Sequence, residues 1–233
     1  MSNRGTNRSV VVLEGPMQSW GYRSRFDYRD TALEPTRSGV IGLICAAMGI
    51  ARGEDISRFD SVRMGVRVDE PTYWRSSFPR TPHEGPRPER DYHTAGGDRH
   101  KPPEYGVIKA DGSGVDAVVS HRDYLADASF TVGLESGDQE LLTRIAERLR
   151  SPEWTLFLGR KAFPLAVPPL GPGDCPKPGS LEEHLLSGVA NRRVVLESPD
   201  GERTQHDWPL CFGQRRFKPR PITTRFANAG GVS

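Results

Sequence analysis

Lysine is scarce in this chain of 233 residues: five lysines stand against twenty-seven arginines. Arginine presents a planar fork of donors that grips phosphate bidentately and stacks on bases. A genome rich in G and C inflates arginine, glycine and proline in the same way, so both explanations of the bias stay open. The formal net charge is +2, which excludes a polycation held to its partner by bulk charge.

Cysteine is equally sparse. Cys45, Cys175 and Cys211 lie too far apart for a metal or redox motif, and they supply no disulfide framework. Cys45 falls in an apolar run and reads as core. With no signal-peptide pattern, the expected location is the cytoplasm. The longest apolar stretch, Val40 to Ala51, is too short to span a bilayer and contains two glycines.

Several chemical signatures are missing altogether. There is no GxxxxGK[ST] phosphate loop, no GxSxG nucleophile elbow and no GxGxxG. The six histidines show no HxH, HExxH or Cys-His spacing, so neither a metal nor a cofactor is expected. The aromatic sheet motif of standard RNA-recognition domains is absent as well.

What is present reads as alternating strands and helices. Ser9 to Leu13 is a buried strand. Val40, Ile41, Leu43, Ile44, Ala47 and Met48 recur at helical spacing, with Thr36 or Ser38 as cap and Gly49 near the stop. Ser61 to Glu70 alternates as a half-buried strand. Ala128 to Leu134 alternates again, and the residues after Asp138 form a helix that Ser151-Pro152 ends. WTLFLGRKAFPL reads as a further strand.

This order predicts an α+β fold: a ferredoxin-like (RRM-like) βαββαβ unit over residues 1–170. A long insertion at about 71–122 would fall in its central connection. That segment is rich in proline and carries eight basic against seven acidic residues. Residues 171–233 form a C-terminal extension: a Pro/Gly-rich spacer, a short helix at LEEHLLSGVA, a strand at VVLES and a basic tail.

Three places carry candidate chemistry. The first is the loop LEGPMQSWGYRSRF, where Met17, Trp20, Tyr22, Arg23 and Arg25 supply stacking and phosphate-binding groups, and Gln18 and Ser19 supply hydrogen bonds to base edges. The following helix begins at Thr36, Arg37, Ser38 and Gly39, where free backbone N–H groups favour phosphate. The alternative for Trp20 is packing on the sheet.

The second place is RDYHTAGGDRHK, with Tyr92, His93, Arg99, His100 and Lys101 in one glycine-containing loop. These residue types suffice for a metal-independent endoribonuclease, while a Tyr-His pair in a loop more often serves a hydrogen-bonded hinge or a contact surface. The third is the tail GQRRFKPRPITTRF, in which Arg215, Arg216, Lys218, Arg220 and Arg225 are interleaved with Phe217 and Phe226. It suits a phosphate backbone, or is a solvated disordered end.

LEGPMQSWG followed by EPTRSGVIGLICAAMGI resembles the start of the CasD family, a RAMP-superfamily subunit of the type I-E CRISPR Cascade complex. RDYHTAGG, DYLADASFTVGL and LFLGRKAFPL are similar to its later motifs in the same order, over roughly Val10 to Pro169. The resemblance implies a non-catalytic RNA-binding subunit of an antiviral ribonucleoprotein complex. It would bind the five-prime handle of the crRNA and cap one end of the assembly. Its insertion would act as a thumb over the guide, from about Tyr73 to Lys109. The implied neighbours are the Cascade backbone subunit and the large subunit, with target DNA met indirectly through the complex and no membrane partner. Handle contacts carried over by position fall on Met17, Gln18, Ser19, Trp20, Arg23, Arg25, Arg37 and Ser38, and Tyr92 and His93 fall in the thumb motif.

Overall fold

The structure is a computed structural model and describes residues 6–21, 27–72, 86–96, 106–108 and 115–227. Its frame is one large sheet. Strands β1 (Asn7–Gln18), β3 (Arg63–Asp69) and β7 (Val118–Ser136) form the centre, with β7 between the other two and antiparallel to both. The apolar run Val10 to Leu13 lies inside β1, as its sequence predicts. β7 runs on well before the alternating stretch that marks it in the sequence.

Helix α1 (Arg37–Met48) starts at Thr36, whose hydroxyl accepts from the Gly39 N–H, and stops at Gly49 in the left-handed conformation, φ 71°. Helix α2 (Gln139–Arg150) is capped by Asp138, whose carboxylate accepts from Leu141 N–H. Val40, Ile41, Ile44 and Ala47 of α1 and Leu142, Ile145 and Leu149 of α2 join Val11, Leu13, Met64, Val66, Phe130, Val132 and Leu134 in one buried core. Burying the Val, Leu, Ile, Phe and Met side chains among these contributes about 1.5–3 kcal/mol each.

The C-terminal segments complete the same sheet. β8 (Lys177–Pro178) pairs with Asn7–Arg8 of β1. A short helix, α3 (Leu181–Leu185), opens with a capping box between Ser180 and Glu183. Leu181 and Leu185 rest over Gly65 and Gly133, which are register partners in β3 and β7. Any side chain there would collide with them. β9 (Arg193–Glu197) pairs with β3, β11 (Arg216–Phe226) with β9, and β10 (Arg203–Cys211) with β11. The strand order is β10-β11-β9-β3-β7-β1-β8. The molecule is therefore mixed α/β with a large antiparallel sheet and few helices among the described residues.

Two expectations change. WTLFLGRKAFPL forms no strand. Gly159 has φ 91° and Phe163 N–H returns to the Arg160 carbonyl, so the chain turns where a strand would continue. The segment follows the free edge of β1 through isolated hydrogen bonds, Ser19 N–H to Leu158 O at 3.0 Å and Ala166 N–H to Glu14 O at 2.8 Å. Pro164, Pro168 and Pro169 have no N–H to give a ladder. The disordered alternative for the basic tail is overturned too. Its core is β11, and Ile222 is fully buried.

Candidate nucleic-acid interface

The first half of β7 leaves the sheet body and forms an arm. β4 (Arg87–Ala95) pairs with it antiparallel, from Arg87 opposite Ala126 to Ala95 opposite Val118. On its other side lies β2 (Tyr28–Arg29), parallel, with Tyr28 opposite His121 and Arg29 opposite Arg122. This arm occupies the stretch where the sequence predicts a long insertion. A two-residue pair, β5 (Val107–Ile108) with β6 (Val115–Asp116), stands beyond it.

A polar clasp fixes the base of the arm. Asp123 accepts from Arg90 Nε at 2.8 Å and from the Tyr28 hydroxyl, and Arg90 Nη2 reaches the Tyr28 oxygen at 2.9 Å. The hydrogen bond from Arg90 holds the Asp123 carboxyl below its usual range, and the bond to Asp123 pushes the Tyr28 phenol up. Arg160 donates to the Asp123 carbonyl at 2.8 Å. Its guanidinium is pulled down from its ordinary value by burial first, then by the nearby charge of Arg122, with Arg29 adding to the effect. Three guanidinium groups thus crowd one edge of the arm.

The loop residues expected to face RNA divide sharply. Trp20 is 1% exposed, and its ring lies against Gly39 in the first turn of α1. Its indole N–H donates to Gln18 Oε1 at 3.1 Å, while Gln18 Nε2 donates to the carbonyls of Leu13 and Ala128. Neither an open ring nor a free amide is left, so the stacking and base-reading roles of Trp20 and Gln18 are corrected to a structural knot. Ser19 is buried and donates to the Asp123 carbonyl at 3.2 Å. Met17 is half-buried against the core. Tyr22, Arg23 and Arg25 lie outside the described residues.

The phosphate role expected at the start of α1 is also corrected. Arg37 is 1% exposed. Its Nη1 meets Glu197 Oε1 at 2.8 Å and the Val62 carbonyl at 2.7 Å, and Nη2 meets the Phe59 carbonyl at 2.8 Å. The Arg37 backbone N–H donates to Asp207 at 2.8 Å, so a protein carboxylate already sits where an anion would. Arg220, expected among the phosphate-binding tail cations, is 2% exposed and grips the same Asp207 with Nε at 2.8 Å and Nη2 at 2.7 Å, which takes it off that surface. Burial pushes the Arg37 guanidinium down against the pull of Glu197. For Arg220, burial works the same way but Asp207 and Glu197 outweigh it and raise its affinity for the proton. Ser38 is half-buried, 3.3 Å from the Thr36 hydroxyl.

On the arm, Tyr92 is 67% exposed, and His93 lies 3.4 Å from Asp91. Arg99 and Lys101 lie outside the described residues. Arg215 and Arg216 are exposed at the β10–β11 turn, where Arg215 has φ 51°. Lys218 stands 4.3 Å from the Trp208 ring, whose centre is 3.6 Å from the Arg37 guanidinium. The structure thus groups Tyr92 and His93 on the arm and the tail cations on the hairpin, and brings neither group to Trp20.

Sequence reasoning missed Tyr28, Arg90, His121, Asp123 and Arg160. The tripeptide Arg-Asp-Tyr occurs at 90–92 and again at 122–124, and that repetition was the available signal for two paired strands.

A family model of the CRISPR-associated Cas5 proteins matches residues 10–224. The chain belongs to the Cas5 family. This Cas5-family chain is 34% identical over 220 residues to the CRISPR system Cascade subunit CasD of Escherichia coli, covering 91% of this chain and 92% of that protein. A chain from a solved CRISPR RNA-guided surveillance complex superposes with a TM-score of 0.74 at 30% identity, covering 95% of this chain and 90% of its own length. A solved Cas protein gives 0.66 at 32% identity, over 96% and 98%. The resemblance to CasD seen in the sequence motifs is borne out across nearly the whole chain.

Proposed function

We propose that this Cas5-family chain is a non-catalytic subunit of a type I-E CRISPR Cascade complex and binds the five-prime handle of the crRNA. The observation that carries this reading is the 34% identity to CasD over 92% of that subunit. The endoribonuclease alternative has no comparable support.

The strand order β1-β7-β3 supports a ferredoxin-like core, since strands one, three and two of that unit lie side by side in this order, with α1 and α2 as its two helices. Residues 171–233 are then an extension that widens its sheet, and the arm is the base of the thumb. In this reading the RNA-facing groups are Tyr92 and His93 on the arm, Arg99 and Lys101 further along the thumb, and Arg23 and Arg25 in the loop. Arg215, Arg216 and Lys218 form a second cationic surface for RNA or a neighbouring subunit. The partners are the Cascade backbone subunit and the large subunit, and the location is the cytoplasm.

Co-expression of a tagged chain with the other Cascade proteins and a CRISPR array tests the reading. A complex containing one crRNA of uniform length is expected on the tag. Recovery of the tagged chain free of RNA and of other subunits would contradict it.

A further inference from the structure

The arm carries a row of rings in which Tyr92 is one member of three. The registers of β2 and β4 on β7 set Tyr28 opposite His121 and His121 opposite Tyr92. Residues paired in register share a sheet face. Tyr92 meets His121 edge-on, with ring centres 5.4 Å apart and planes at 61°. Tyr28, held by the Asp123 clasp, closes the row at its inner end. All three side chains are exposed, and Tyr92 is the most exposed large aromatic among the described residues.

The neighbours on that face are more polar than those of an apolar docking patch, with Val119, opposite Thr94, as an exposed aliphatic member. Arg90, two residues before Tyr92, stays 57% exposed in its side chain despite its ion pair, with its guanidinium carbon 5.1 Å from the Tyr28 ring centre. Thr94 follows two residues after Tyr92. A protein hot spot wants a desolvated apolar centre. Flat exposed rings beside a guanidinium group are instead the make-up of a single-stranded nucleic-acid surface, where bases stack on rings and phosphates meet arginine.

We propose that Tyr92, braced edge-on by His121, is a stacking platform for one unpaired base of single-stranded RNA, with Arg90 beside it for the adjoining phosphate. The proposal rests on the RNA-binding reading above and adds the contact by which the arm holds RNA. Tyr92 supplies the ring face and His121 fixes its tilt. The Tyr28–Asp123–Arg90 clasp sets the row against the sheet body. An exposed ring at this position contributes little to folding, so its removal leaves the fold intact.

The test uses the full-length chain and single-stranded CRISPR repeat RNA carrying 2-aminopurine at successive positions, in EDTA. One position is expected to be quenched on binding. Tyr92→Ala is expected to abolish that quench and weaken binding roughly five- to a hundredfold. Tyr92→Phe keeps both, and all variants keep the wild-type melting temperature. Wild-type binding that Tyr92→Ala leaves unchanged in affinity and fluorescence overturns the platform and spares the RNA-binding reading. Failure of the wild-type chain to bind any repeat RNA overturns both. Loss of a Cascade protein from pull-downs with Tyr92→Ala, at unchanged RNA affinity, makes the row a protein contact and overturns the proposal. RNA shortening that stops with Tyr92→Phe makes it chemistry and does the same.

Discussion

Arg37 joins three parts of the chain that are far apart in sequence: the start of α1, the turn before β3, and the C-terminal strands through Glu197 and Asp207. Removing one partner of a buried ion pair leaves the other uncompensated. Arg37→Met is therefore expected to cost on the order of 3 kcal/mol, which in a chain of this size lowers Tm by roughly 6–12 °C. Calorimetry checks this. An unchanged Tm with weakened RNA binding would return Arg37 to the RNA surface. From the sequence Arg37 looked like a phosphate ligand because a cation at a helix start fits one. Its partners, Glu197 and Asp207, lie 160 and 170 positions away, and no local pattern announces a contact of that separation. Trp20 was open to both readings in the sequence, and the Gly39 surface that receives its ring decides for packing.

At the scale of elements, periodicity made α1, α2 and the three central strands legible, with their caps at Thr36, Asp138 and Gly49. The arm was not legible, because most of β4 is exposed and the two strands carry no apolar alternation to read. What holds it is the clasp, which has a pH signature. The Asp123 pKa is depressed in the folded chain, so its contribution is present in full above the ordinary carboxylate range. It is lost as pH falls through the folded value, which lies below that ordinary range. Carbon-detected NMR should show the Asp123 carboxyl titrating below free aspartate, and Arg90→Ala should bring it back up. An unshifted titration in the wild-type chain would remove the clasp from the account.

The turn at 157–163 makes its own prediction at this scale. A Cβ on Gly159 would fall on the Ser19 carbonyl oxygen, at a φ that side chains resist. Gly159→Ala should destabilise the fold by more than about 1 kcal/mol, read as a lower Tm. It should also displace the loop after β1, read as altered protection of the Ser19 amide, which donates to Leu158. Wild-type stability would mean that the turn does not brace the loop.

For the whole molecule, the last sixty residues widen the sheet rather than trail from it. β9 covers the edge of β3, and Glu197 and Asp207 neutralise Arg37. A chain stopped after Leu186 would expose that edge and bury an unpaired guanidinium. It is expected to lack a cooperative melting transition, and a sharp calorimetric peak would show that the extension is dispensable. The composition hinted at an add-on through its Pro/Gly spacer, while the pairing of VVLES with β3 depends on long-range register that composition does not encode.

Handle recognition is tested by fluorescence anisotropy of labelled repeat RNA with the full-length chain in EDTA, across a salt series. The natural five-prime handle is compared with a shuffled one of the same length. Tighter binding of the natural handle, with the label intact and the preference retained as salt rises, is the predicted result. Equal affinity for both RNAs, collapsing together with salt, would contradict handle recognition and leave a generic cationic surface.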